Sequence, residues 1–155
     1  MAFWNKKSIK NKPQHSIGII DASLHEIRQA VGAFAEKKRD GISLKVLVKE
    51  NNKLDSSLLA PHLGGIPSKS FYMSKETFEL FEEENRHIPF WIDAVQRAVD
   101  AYIRSEKAPP IIEGDPYKKI SFFKLERKAL LTERPPLDFY FTEQESMVSH
   151  RRREK

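Results

Sequence analysis

Five histidines, at positions 15, 25, 62, 87 and 150, are the side chains of this sequence best suited to ligate a metal or carry a proton near neutral pH. No two of them stand at H-x-x-x-H or any other compact ligand spacing, so the pattern gives a metal centre no support. His62 has the most chemically useful setting, between Pro61 and the Gly64-Gly65 pair. A loop histidine bonded to backbone explains the same residue. The run Leu63-Gly64-Gly65-Ile66-Pro67 would let backbone approach a ligand closely, because glycine lacks the Cβ that blocks it. Neither G-x-x-x-x-G-K-S/T nor G-x-G-x-x-G is present, however, and a tight turn feeding the next strand accounts for the glycines.

Paired carboxylates can serve as general acid and base, but Glu82, Glu83 and Glu84 are consecutive and would fan around a helix instead of converging on a cleft. The chain has no cysteine, which removes disulfides, thiolate metal sites and a cysteine nucleophile, and favours a cytoplasmic protein. There is no G-x-S-x-G elbow. An enzyme would therefore need a deep pocket around His62 or His87 with perturbed carboxylates beside it. The reading is a non-enzymatic protein with no cofactor and no metal.

The segment Tyr117 to His150 offers surfaces of another kind. Residues 117–135 carry six basic side chains, Lys118, Lys119, Lys124, Arg127, Lys128 and Arg134, against Glu126 and Glu133. A helix from Tyr117 to Leu130, a Pro135-Pro136 turn, a strand at Asp138–Phe141 and a return strand at Met147–His150 would give a helix–hairpin. Locally that order resembles the end of a winged-helix domain, in which those six cations would face phosphates. A winged helix needs two preceding short helices, which the long helix around Trp91 and the linker PPIIEGDP do not provide. The alternative is a protein-binding edge presenting Phe139, Tyr140 and Phe141.

These residues must be positioned by the elements around them. Ser23 and Glu26 form a capping box that opens a helix carrying Leu24, Ile27, Val31 and Phe34 on one face and stopping at Asp40-Gly41. Ile42 to Lys49 alternates, with Ile42, Leu44, Val46 and Val48 on one face and only Leu47 out of phase, which predicts a half-buried strand. A less regular stretch pinned by Leu58, Leu59 and Leu63 leads to a strand at Ser70–Met73. Ser74 then serves as N-cap of a helix holding Phe78, Leu80 and Phe81. Pro89 starts a further helix with Trp91, Val95, Val99 and Tyr102, which Ala108-Pro109-Pro110 ends.

The 155 residues fit one domain. The net charge of +5 is concentrated at the ends: residues 1–12 carry +4 and residues 150–155 carry +3, which leaves the body at −2. The boundaries read as a flexible basic tail at 1–15, a single domain at 16–150 with 111–150 as its helix–hairpin module, and a basic tail at 151–155. No apolar window approaches the roughly 20 residues that span a bilayer, and the basic start lacks the apolar core of a signal peptide. The expected fold is α+β, a central, mainly antiparallel sheet with two or three packed helices and the C-terminal helix–hairpin.

The combination of SLKVLVKENN, LLAPHLGGIPSKSFYMSKETFELFEEE and PPLDFYFTEQESMVSH resembles small uncharacterised proteins of Gram-positive, Bacillus-like bacteria over residues 16–150. The resemblance implies a bacterial cytosolic setting and transfers no activity, cofactor or site. Some such proteins resemble lipoproteins, but the N-terminal cysteine they require is missing here, so anchoring is not carried over. The partner expected is another protein, with nucleic acid as the alternative.

Overall fold

The computed structural model describes residues 18–152. The basic tail at 1–15, with His15, and residues 153–155 lie outside the described residues, as do Ser16 and Ile17 of the first apolar run.

In chain order the elements are β1 (Ile19–Ile20), α1 (Leu24–Lys37), α2 (Ser56–Leu63), β2 (Ile66–Pro67), β3 (Phe71–Met73), β4 (Leu80–Glu82), α3 (His87–Glu106), α4 (Phe122–Arg127), β5 (Tyr140–Phe141) and β6 (Val148–Ser149). The chain is mixed α+β. Among the described residues its named strands form three separate two-stranded sheets, β1–β2 parallel and β3–β4 and β5–β6 antiparallel, in place of the single central sheet expected. The strands are two or three residues long, and neighbouring chain meets the two hairpins through isolated bridges, Lys53 with Tyr72 and Lys119 with Tyr140.

The capping box opens α1 as its sequence dictates. Ser23 Oγ accepts the Glu26 amide at 3.1 Å, and the Glu26 carboxylate accepts the Ser23 amide at 2.9 Å. Ile27, Ala30 and Val31 bury one face. The predicted strand at 42–49 is instead a 3-10 turn at Leu44–Leu47, whose first turn is capped by Ser43 Oγ on the Lys45 amide. Leu47, the residue out of phase with the alternation, is the one fully buried, while Ile42 and Val46 are exposed. Local capping by Ser43 outweighs β-propensity there.

The stretch expected to be irregular contains α2, capped by Asp55, whose carboxylate accepts the Ser57 amide at 3.1 Å. Gly64, at φ +78°, ends α2 in the left-handed conformation. Gly65 serves a different need. A Cβ there would lie 2.7 Å from the Gly18 carbonyl oxygen and 2.6 Å from Ile20, closing the gap across which β1 and β2 pair.

Ser74 does accept the Thr77 amide at 2.9 Å, as an N-cap would, but no helix follows. Phe78 adopts φ +62° and the chain returns as β4, pairing Leu80 with Met73. The resulting β3–β4 hairpin divides the interior. Phe71, Met73 and Leu80 join a cluster with Ile27, Leu47, Leu54 and Leu59, whereas Tyr72 and Phe81 join one with Ile92, Val95, Ile120, Leu125 and Phe139. The two-residue alternation of a strand thus supplies two cores at once.

The long helix around Trp91 is α3, which ends with Lys107 at φ +61° just ahead of the proline pair. The expected helix over 117–130 is shortened to α4. Before it, the Asp115 carboxylate accepts the Tyr117 and Lys119 amides at 2.9 and 3.1 Å and Lys118 takes φ +58°, so the chain turns tightly here, and Lys119 beyond the turn pairs with the hairpin at Tyr140. After α4, Ala129 at φ +56° ends the helical path. The hairpin strands are likewise shorter than expected, with the turn at Gln144–Ser146 between them. Among the described residues no helix is long and apolar enough to cross a membrane.

Candidate functional site

Helix α3 carries two polar residues on its buried face, Asp93 and Gln96. Each organises a loop. The Asp93 carboxylate accepts Asn52 Nδ2 at 2.7 Å, Ser74 Oγ at 2.6 Å, the Lys75 amide at 3.0 Å and the Glu76 amide at 3.1 Å. With two donors on each oxygen, the buried charge is met by hydrogen bonds instead of a cation. Asn52, itself buried and at φ +63°, also donates to the Met73 carbonyl at 3.1 Å. The arrangement is a structural knot between the two clusters and the β3–β4 loop.

One turn further along, Gln96 acts on the C-terminal hairpin. Its Oε1 accepts the Val148 amide at 2.8 Å, and its Nε2 donates to the Ser146 carbonyl at 3.0 Å and to Asp100 at 2.9 Å. A side chain thereby replaces the neighbouring strand that β6 would otherwise need. Main-chain bonds hold β5 on its other side, with the Phe141 amide donating to the Lys118 carbonyl at 2.9 Å and the Ile120 amide to the Phe139 carbonyl at 2.8 Å.

Fixed in this way, the hairpin walls a cleft of about 540 Å³ with the 116–118 segment and the β3–β4 loop. Tyr117, Tyr140, Phe141 and Met147 supply its apolar surface, and charged side chains ring it. Lys118 is ion-paired with Glu143, which lowers the Glu143 pKa through the hydrogen bond and the adjacent charge. Arg151 Nη1 lies 3.6 Å from Glu79 Oε2, and the Arg152 guanidinium sits 4.4 Å from the centre of the Tyr117 ring. Beneath this edge His150 packs against Phe81 with ring centres 5.4 Å apart. Burial lowers its pKa below 6.5; Glu79, 3.9 Å away, acts in the opposite sense, and Arg151 adds to the lowering.

Of the three aromatic residues expected at a binding edge, Phe139 is fully buried in the C-terminal core and presents nothing to a partner. Its ring joins Ile92, Val95, Ile120 and Leu125 in the C-terminal cluster, and its carbonyl accepts the Ile120 amide at 2.8 Å. Tyr140 and Phe141 are half-buried and line the cleft.

The six cations are not drawn to one phosphate-facing surface. Lys118 pairs with Glu143, Lys119 Nζ lies 3.2 Å from Asp138, and Arg134 folds onto Glu126 and lowers that carboxyl's pKa through a hydrogen bond. Lys124 Nζ donates to the Ile111 carbonyl at 3.0 Å, Lys128 pairs with Glu106, and Arg127 lies over the Phe123 ring at 5.8 Å. Lys124, Arg127 and Lys128 do share a groove with Tyr102 and Glu106.

His62 makes an edge contact with Phe34, 6.2 Å between centres, and the Gly64-Gly65 segment serves helix termination and strand pairing. His87 borders a shallow groove with Arg86, Tyr72 and Phe90. The acidic triplet is split: Glu82 ends β4, and Glu83 accepts the Tyr72 hydroxyl at 2.8 Å; burial, and then this bond to Glu83, raise the Tyr72 pKa. Among the described residues no three His, Asp or Glu side chains are grouped to hold a metal ion.

Asp93 and Gln96 escaped the sequence reading. Their signal is visible in retrospect: in I-P-F-W-I-D-A-V-Q both fall on the buried face, at i+4 from Pro89 and Ile92.

Residues 18–150 match the family described as protein of unknown function (DUF3939). No curated protein and no solved structure matches.

Proposed function

For this chain, which belongs to the DUF3939 family of proteins of unknown function, we propose a non-enzymatic, cytoplasmic binding module that receives a segment of a partner protein in the hairpin cleft. One observation carries the reading: Tyr140 and Phe141, half-buried beside Tyr117 and Met147, form an aromatic wall around about 540 Å³. That volume lies in the range of ligand-binding clefts, its lining is about equally polar and apolar, and half-buried tyrosines lose little conformational freedom on contact. Glu79 and Glu143 each face a cation, an arrangement suited to recognition more than to proton transfer. The cytoplasmic setting rests on the cysteine-free sequence.

The test is photo-crosslinking in nuclease-treated native lysate, with benzoylphenylalanine placed at Tyr140 or, in parallel, at the exposed Phe90 on α3. Protein adducts formed at Tyr140 and absent at Phe90 support the cleft. Adducts at Phe90 alone, or none at either position, overturn it.

The nucleic-acid reading keeps one favourable observation, the groove shared by Lys124, Arg127 and Lys128. It requires duplex affinity that falls steeply with salt and is lost when these three are replaced by alanine. Undiminished binding by that variant would remove the groove from consideration.

A further inference from the structure

The cleft is bordered by the chain's own arginines. Past β6, the Arg151 amide donates to Ser149 Oγ at 3.1 Å, which turns the chain across the cleft edge. Arg151 then faces Glu79 at 3.6 Å and Arg152 lies on the Tyr117 ring at 4.4 Å, and all four residues line the cavity. A carboxylate and an adjacent aromatic face are the two groups a guanidinium recognises best: the carboxylate through its planar fork, the ring through stacking and its negative quadrupole.

We propose that the cleft recognises arginine-bearing, extended segments of a partner protein, and that Arg151 and Arg152 occupy it as a displaceable internal ligand. The inference rests on the reading of the cleft as a protein-binding site and adds the chemistry of its occupant. Charge complementarity and stacking name that occupant. Glu79 and Tyr117 are satisfied by the chain's arginines in the structure and offer the same two contacts to any incoming guanidinium. The Arg151 side chain is 75% exposed, and ion pairs and cation–π contacts at such exposed positions are weak, so the internal ligand exchanges readily. What it lacks in contact strength it regains in proximity, since a tethered segment acts at an effective concentration on the order of millimolar. A partner must therefore outcompete it, and affinity rises in proportion to the fraction of clefts left open.

The experiment measures fluorescence anisotropy of a labelled peptide with the sequence of residues 151–155, and of the same peptide with every arginine changed to lysine. These are titrated with the full-length chain and with the full-length Arg151→Ala/Arg152→Ala variant. The expected result is binding of the arginine peptide at least about tenfold tighter to the variant than to the parent. Adding Tyr117→Ala or Glu79→Gln to that variant abolishes the gain, and the lysine peptide binds several-fold more weakly. Circular dichroism melts of each protein exclude unfolding as the cause of lost binding. Equal affinity for parent and variant, no binding by the folded variant, or equal affinity for the two peptides overturns the proposal. Failure here with Tyr140 adducts intact removes only the arginine specificity. Failure of the Tyr140 adducts removes the cleft as a binding site.

Discussion

In the N-terminal cluster, loose backbone ends are satisfied by residues close in sequence. Ser23 and Glu26 cap α1, Asp55 caps α2, and Gly64 ends it. In the C-terminal cluster comparable work is done across long stretches of chain. Gln96 reaches Val148 and Ser146, and the β3–β4 loop is gathered by Asp93 on α3. The difference explains where an open cleft appears. A hairpin flanked on both sides by strands would be part of a larger sheet, whereas one held by a glutamine along its β6 edge stays a two-stranded ribbon, beside which the cleft opens. Tyr140 and Phe141 both border the cleft, and Phe141 also packs against the C-terminal cluster.

The comparison breaks most severely if the C-terminal core is emptied. Phe139→Ala removes a fully buried ring from the cluster around α3 and is expected to cost about 4 kcal/mol in urea denaturation. Phe123→Ala, at a ring 61% exposed, is expected to stay within about 0.5 kcal/mol. Similar costs for the two would show that Phe139 does not sit in the core.

Asp93→Ala comes next. It leaves Asn52, Ser74 and two amides without their acceptor, and about 3 kcal/mol of stability is expected to go with it. Because Asp93 joins the two clusters, fluorescence and circular dichroism should report one coincident transition in the parent and two displaced transitions in the variant. A single, undisplaced transition would mean the clusters are coupled through the β3–β4 hairpin alone.

Gln96→Leu separates the halves more cleanly. It strands the Val148 amide at an expected cost of about 2 kcal/mol. Hydrogen exchange should accelerate at Val148 and Thr142 while the amides of α1 keep their protection. Uniform acceleration would show that the hairpin is not a separable unit.

The same division decides how much was legible in the sequence. The capping box of α1 and the proline-flanked end of α3 depend on residues within a few positions of one another, and they read correctly. The strand expected at 42–49 failed because Ser43 caps a local turn more favourably than the alternating apolar residues can pair. At Ser74 the capping bond was read correctly and the element was not, since the donors around Asp93 bend the chain into a hairpin. The hairpin near the C-terminus was legible from its aromatics and prolines, but which aromatic faces inward was not. That depends on Ile120 and on Ile92 and Val95 of α3, which cluster with Phe139 from distant stretches of chain. The cations of 117–135 had a similar fate: Lys118, Lys119 and Lys128 pair with Glu143, Asp138 and Glu106 outside that window, while Arg134 pairs with Glu126 inside it.

The smallest expected effect is a pH dependence centred on His150, at the junction of the core and the cleft. Burial against Phe81 lowers its pKa in the folded chain, and Arg151 acts in the same direction while the facing Glu79 opposes them. Below the unfolded value of 6.5 the unfolded chain binds this proton more readily than the folded one. The stabilisation is therefore complete above pH 6.5 and is lost as pH falls from there through the lowered pKa. His150→Phe keeps the ring contact and removes the titration. Between pH 7.5 and 5 the parent's urea midpoint should fall further than that of the variant, the carboxylates common to both cancelling in the difference. If cleft and core are coupled through this residue, acid should also weaken arginine-peptide binding to the Arg151→Ala/Arg152→Ala variant, because a protonated His150 beside Glu79 repels an incoming guanidinium, and adding His150→Phe should remove that weakening. Parallel midpoints for the two proteins would place His150 in solvent and detach the cleft from the core beneath it.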